Sequence, residues 1–136
     1  MQHLHSKARP DIFLETVDPD GRRAFFNKAI ADDNWQIWIA GQQLKTLGFA
    51  MSELIDKDTG PIRHGHREGH IHQICVAPQA RRCGLASGLM QSLLDDLRSQ
   101  SPDRITVAYW AFNDTSKRFF EQMGFAPVMI TAELSA

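Results

Sequence analysis

Cysteine is scarce in this chain, with two in 136 residues. Cys75 and Cys83 cannot build a disulfide framework, and the expectation is a pair of reduced thiols in a cytoplasmic protein. An excess of one charge is missing too. Fifteen Lys and Arg stand against sixteen Asp and Glu, a formal net charge of -1, which argues against the basic surface that nucleic acid requires. No apolar run approaches the roughly 20 residues of a membrane span, and Met1-Gln2-His3-Leu4-His5 lacks the apolar stretch of a signal peptide. Internal repeats, low-complexity stretches and charge blocks are absent. What remains, 43% apolar and 23% charged residues, reads as one ordinary globular domain over residues 1–136, long enough for a real core.

The elements follow from periodicity and punctuation. Asp18-Pro19-Asp20-Gly21 opens a helix over residues 22–31, where Phe25, Phe26, Ala29 and Ile30 recur at helical spacing. Trp35-Gln36-Ile37-Trp38-Ile39-Ala40 is a strand, Gly41-Gln42-Gln43 a polar turn, and residues 44–55 the returning strand of a hairpin. Residues 56–69 are polar and turn-rich, a long loop. Residues 70–76 form a third strand and 85–98 a helix with a broad stripe of Leu85, Leu89, Leu93 and Leu97. Ser101-Pro102-Asp103 breaks the chain before a fourth strand at 104–111. Asn113 or Asp114 caps a short helix through Met123, Gly124 suits its left-handed stop, and 125–134 reads as a last strand. These strand–helix–strand passages predict an α/β domain, with a mixed sheet and two parallel strands around the Leu85 helix.

The segment that opens this helix carries the chemistry. A helix N-terminus offers unpaired N–H groups and a positive dipole end, which hold phosphate provided the ligand approaches closely. Gly84, Ala86, Ser87 and Gly88 supply small residues there, while Arg81 and Arg82 add cationic reach. The nucleotide motif Gly-x-x-x-x-Gly-Lys-Ser/Thr is absent. The dinucleotide motif Gly-x-Gly-x-x-Gly fails at Ala86 and Leu89. Arg81-x-x-Gly84-x-Ala86 remains.

That pattern resembles the pyrophosphate loop of the GNAT superfamily of acyl-CoA-dependent N-acyltransferases. The likeness extends to Ile74-Cys75-Val76-Ala77-Pro78 before it, to Leu47-Gly48-Phe49 on the preceding strand, and to Tyr109-Trp110-Ala111-Phe112-Asn113 followed by Phe119-Phe120-Glu121-Gln122-Met123-Gly124-Phe125. The resemblance implies a GNAT-like fold, a central mixed sheet flanked by helices. It also implies an N-acetyltransferase that uses acetyl-CoA as cosubstrate and a primary amine, of a small molecule, as acceptor. The backbone of residues 81–87, including Cys83 and Leu85, would grip the pyrophosphate. Ile74, Cys75 and Val76 would bond the pantetheine arm as an added strand does, with the amide near Val76 polarising the thioester carbonyl. Asn113 is expected beside that arm, and Phe119 and Phe120 near the sulfur.

A primary amine is mostly protonated at neutral pH, so a base must take a proton. Strand alternation places His70, His72 and Ile74 on one face, and His-x-His-x-aliphatic-x-Val is similar to the pattern of arylalkylamine acetyltransferases, in which paired histidines deprotonate the amine through water. His72 is the preferred base, with His70 and Glu53 as the others; surface or hydrogen-bonded strand histidines are the equal alternative.

Two departures qualify the resemblance. Many members carry a tyrosine where Phe120 stands, and phenylalanine cannot protonate the leaving thiolate. Tyr109 is the other candidate acid, though a core position suits it better. At the front, residues 3–13 resemble only the tail of the family's first helix, so the first strand and most of that helix are expected to be missing, or the reading frame to start late. A partner subunit, as in a homodimer, would then cover the exposed sheet edge. The alternative function is a catalytically idle acyl-CoA-binding module. No metal is expected, because His64-x-His66 and His70-x-His72 match no structural zinc spacing. The acceptor is not readable from the chain.

Overall fold

The computed structural model describes residues 2–42 and 44–136, so the Gln43 part of the expected hairpin turn lies outside the described residues. In chain order come helices α1 (Gln2–Ala8) and α2 (Pro19–Ala31), then strands β1 (Trp35–Gln42), β2 (Lys45–Lys57) and β3 (His66–Val76). A 3-10 turn at Pro78–Ala80 leads to helix α3 (Leu85–Ser99), strand β4 (Arg104–Val107) and helix α4 (Asp114–Gln122). The strands make one mixed sheet in the order β1-β2-β3-β4. Pairing is antiparallel from β1 to β3 and parallel between β3 and β4. The expected mixed α/β architecture is the one observed, with α3 as the crossover between parallel neighbours.

Local chemistry explains the helix ends. Asp18 caps α2, its carboxylate accepting from the Asp20 N–H at 3.1 Å, and Pro19 sits in the first turn where its missing N–H costs nothing. Asn113 caps α4 by accepting from the Ser116 N–H at 3.1 Å. Gly124, at φ 95°, follows that helix in the left-handed region. α1 stops at Ala8, ahead of Pro10, and its His5 stacks on Phe13 in an aromatic group with Trp110 and Phe112. No helix among the described residues is long and apolar enough to cross a membrane.

The core lies on one face of the sheet. Leu89, Met90, Leu93, Leu94 and Leu97 of α3 are buried against Ala50, Leu54 and Ile71. Gly69 lets the helix come close: a Cβ there would sit 3.0 Å from the Leu97 side chain.

Four expectations need correction. β3 begins at His66, not His70, so the loop shrinks to residues 58–65. The polar stretch carries a ladder because its charges pair across strands: Arg67 lies opposite Asp56 and bonds its carboxylate at 2.8 Å. The fourth strand ends at Val107, four residues short of the expected Ala111. The tail over 125–134 forms no strand, and Val128, Met129, Ile130 and Leu134 are exposed. Strand-forming side chains are stabilised by packing on a half-buried sheet surface, and beyond Phe125 every residue of this segment is exposed. Finally, Ile74 does not share a face with His70 and His72. Gln73 pairs with Met51 but Ile71 with Ser52, so His72 is an extra residue in the ladder. This bulge resets the alternation and turns Ile74 into the α3 core.

Candidate active site

β3 has two different neighbours along its length. Residues 68–71 pair with β4 from Glu68↔Arg104 to Ile71↔Val107. Beyond that point β3 continues to Val76, paired with β2 only. The Ala77 N–H donates to the Leu47 carbonyl at 2.8 Å. By strand alternation Cys75 also directs its backbone toward β2, and Ile74 and Val76 direct theirs to the open side. The Arg81 Nε reaches the Val76 carbonyl there at 3.5 Å.

The open edge leads into the loop before α3. Arg82, at φ 62°, and Gly84, at φ 77°, are both left-handed. A non-glycine residue in this region is uncommon, and such conformations cluster at ligand-binding segments. Gly84 occupies the N-cap of α3 with no side-chain cap bond, so the first N–H groups of a fifteen-residue helix have no side-chain acceptor. A Cβ at Gly84 or Gly88 would meet nothing within 4 Å. Their smallness therefore serves no internal packing, which is what an approach path for a phosphate looks like. Arg81, Arg82, Cys83, Gly84 and Ser87 are exposed, and Leu85 and Ala86 half-buried. The Cys83 thiol donates to the Ala80 carbonyl at 2.6 Å, and both cysteines are free. The residues present fit a pyrophosphate-bearing group.

On the face of the sheet away from α3 lies a row that crosses all four strands. Trp35 pairs with Glu53, Glu53 with His70, and His70 with Thr106. The bulge adds His72 to this row. Its ring stacks on Trp35 at 4.3 Å between centroids and 17° between planes, and meets His70 edge-on at 4.8 Å. The His72 Nε2 donates to Glu53 Oε2 at 2.9 Å. All three expected bases, His70, His72 and Glu53, thus stand together at the start of the open edge.

His70 is set apart from His72 by its surroundings. Burial, with the nearby His72 second, lowers its pKa from the ordinary 6.5, against opposing attraction from Glu68 and Glu53. Its Nδ1 lies 2.8 Å from the Thr106 hydroxyl, which in turn donates to Glu68 Oε1. Burial would raise the Glu68 carboxyl, but the Thr106 hydroxyl, the His66 ring and Lys57 outweigh it and lower it to about 2. Lys57 Nζ is 3.2 Å from Glu68 Oε2.

Other expected site residues are placed differently. Asn113 is buried, with its side-chain oxygen committed to the α4 cap. Phe120, 3% exposed, belongs to the core and stacks with Tyr109 at 5.8 Å. Phe119 is half-buried against the same cluster. Trp35 and Thr106 were not expected at the site, and Glu68 was not expected behind His70. Glu68 stands two before His70, which was a usable signal once residues 66–69 are read as strand. Trp35 and Thr106 are brought in only by strand register.

The acetyltransferase (GNAT) family model matches residues 1–125, and the chain belongs to that family of acyl-transferring enzymes. Among curated proteins, none matches the sequence. Among solved structures, a tetramutant of the BH1408 protein from Bacillus halodurans superposes with TM-score 0.88 at 21% identity, covering 99% of this chain and 86% of that one. The aminoglycoside N-acetyltransferase AAC(6')-Iy in complex with CoA gives 0.75 at 17% identity, over 98% and 88%. AAC(6')-Iy has also been solved with a bisubstrate analogue, CoA-S-monomethyl-acetylneamine. A predicted acetyltransferase from Clostridium acetobutylicum, solved with acetyl-CoA, gives 0.71 at 21% identity, over 88% and 77%.

Proposed function

We propose that this protein transfers the acetyl group of acetyl-CoA to a primary amine of a small molecule, by direct attack of the amine on the thioester. One observation carries the reading: the open edge of β3 runs from His72, beside His70 and Glu53, to the uncapped entrance of α3. A ligand with amides in its middle, phosphates at one end and a reactive group at the other matches that order.

In this reading the backbone N–H groups of residues 81–87 hold the pyrophosphate, with the Arg81 and Arg82 guanidiniums as added charge. Ile74 and Val76 bond the pantetheine amides, because their backbones face the open side, while Cys75 lines the path. Asn113 turns its side-chain oxygen to the α4 cap and offers its side-chain NH2 to a ligand. Phe119 is the more exposed of the two phenylalanines, and Phe120 packs edge-on against it from the core. Acetyl-CoA supplies the activated acetyl group: the amine lone pair forms the C–N bond, the C–S pair leaves with sulfur, and the nitrogen gives up its second proton to water as the amide forms. His70 and His72 take the proton that the ammonium must lose, with Glu53 holding the charge that His72 gains. The leaving thiol, with a pKa of about 8.5, departs as thiolate without an acid at Phe120.

The acceptor class is carried over from AAC(6')-Iy, whose bisubstrate analogue joins CoA to an acetylneamine. Release of free thiol from acetyl-CoA across amino acids, polyamines, arylalkylamines and aminoglycosides tests the reading, with mass detection of the acetylated product. Turnover confined to protein lysines would overturn the small-molecule part. A second reading, an idle acyl-CoA-binding module, is favoured by the burial of Phe120 where many relatives have an acid. Saturable CoA binding with no turnover on any amine would establish it.

A further inference from the structure

The hydrogen-bond chain behind His70 has a direction, and the direction follows from counting donors. Glu68 faces the Lys57 ammonium at 3.2 Å and, as a carboxylate, has acceptors only. The single Thr106 hydroxyl proton therefore points at Glu68 Oε1. What Thr106 offers to His70 is a lone pair, and at 2.8 Å the His70 Nδ1 must carry the hydrogen that fills it. A neutral imidazole has one N–H. Its Nε2 is then a bare lone pair, and no group among the described residues hydrogen-bonds it. Two bare atoms facing each other at 2.8 Å would repel, so the opposite tautomer is disfavoured.

We infer that Glu68 and Thr106 are positioning residues that lock His70 in the Nδ1–H tautomer, making His70 Nε2 the atom that accepts the proton of the incoming ammonium. This rests on the amine-acetylation reading above and goes beyond it, since neither Glu68 nor Thr106 touches the reacting atoms. The proton balance is simple. The N–H bond of the ammonium breaks, its proton bonds to Nε2, and the freed lone pair stays on the amine. The resulting imidazolium donates through Nδ1 to Thr106, and Glu68, its Oε1 3.8 Å from that Nδ1, compensates the charge, the role a carboxylate plays behind a catalytic histidine. His72 stands differently: its Nε2 is engaged with Glu53 and its ring is held against Trp35. His72, an Nε2–H donor to Glu53, keeps a bare Nδ1 of its own, so it shapes the acceptor's wall and shares the charge, while His70 presents the Nε2 fixed by the chain behind it.

The test reads the tautomer directly. Protein labelled with nitrogen-15 histidine is examined by long-range proton–nitrogen correlation between pH 5 and pH 9, with His70→Asn identifying the His70 signals. The wild type is expected to show Nδ1 protonated and Nε2 bare above the His70 pKa. Thr106→Val removes the hydroxyl at nearly constant volume and should move the ring toward the Nε2–H form; Thr106→Ser should restore the wild-type pattern. On an amine that the wild type acetylates, Thr106→Val should lower kcat about tenfold, part of what a general base contributes, and leave the KM for acetyl-CoA unchanged. Thr106→Ser should stay within about twofold.

Glu68→Gln removes an attraction that raises the His70 pKa. His72 and Lys57, which lower it, and Glu53, which raises it, remain. The acid limb of kcat/KM should move to lower pH. An Nε2–H signature in the wild type, a Thr106→Val spectrum like the wild type's, or full kcat in Thr106→Val with a changed tautomer would each overturn the inference. A locked tautomer in a protein that acetylates no amine would sink the transfer reading and leave the lock standing.

Discussion

The two halves of β3 are one strand doing two jobs. Before His72 it is sandwiched between β2 and β4, and Glu68 and His70 join a polar chain across that seam. After His72 one edge is free, and the backbone itself becomes the functional group. The bulge is the joint. By inserting one residue it keeps both histidines on the open face while turning Ile74 and Val76 inward to the α3 core. The first half therefore acts through side chains, and the second through amides that a mutation of side chains barely touches. Substitutions should sort accordingly.

The largest effect belongs to the face that serves both halves equally. Leu97 is fully buried and sits over Gly69 at the seam. Leu97→Ala should cost about 2–5 kcal/mol of stability in chemical denaturation, transfer plus cavity terms together. Its CoA affinity, measured by calorimetry well below the melting temperature, should hold. A small loss of stability would mean that the core relaxes around the cavity and that α3 is less tightly seated than its contacts suggest.

Next in size is a change at the far end of the open edge. Gly84→Val forces a β-branched residue to φ 77° and places methyl groups where a phosphate would approach. CoA affinity should fall at least about 100-fold, or about 2.7 kcal/mol, with a smaller loss of stability from left-handed strain of about 1–2 kcal/mol. Unchanged calorimetric affinity would remove the loop from the binding site. At the joint, His72→Ala should lower turnover by about tenfold, less than the hundredfold or more of a sole general base, because His70 remains. Affinity for CoA should stay near wild type. An equal fall in both would make the bulge a structural device rather than a wall of the reacting centre.

The parts legible in the sequence were those with local causes. Asp18, Asn113 and Gly124 announce helix ends through their own side-chain or backbone chemistry. The leucine stripe of α3 is periodic, and the small residues at its entrance are contiguous. What escaped depends on partners distant in sequence. The bulge at His72 exists only relative to β2, and Trp35 and Thr106 join the site through register with Glu53 and His70. The start of β3 at His66 hides behind charges that pair across the hairpin, where hydrophobic patterning has nothing to read. The tail failed for the opposite reason: Val128, Met129 and Ile130 carry the apolar side chains of a strand but stay exposed and pair with none of the described strands.

The smallest expected effect separates a family role from a local one. Asn113 was placed beside the pantetheine arm by resemblance, yet it is buried and its oxygen accepts from the Ser116 N–H at 3.1 Å. Asn113→Ala should therefore cost about 1 kcal/mol as a lost cap. Asn113→Ser, which keeps an acceptor at the cap but has no NH2, should recover most of that stability. The informative quantity is CoA affinity across the pair. If both variants bind CoA like the wild type, Asn113 belongs wholly to α4, and the open edge of β3 carries the pantetheine arm without help from it. If stability recovers in Asn113→Ser but affinity stays low, the side-chain NH2 is the group that reaches the ligand, and the second half of β3 shares its task with the start of α4.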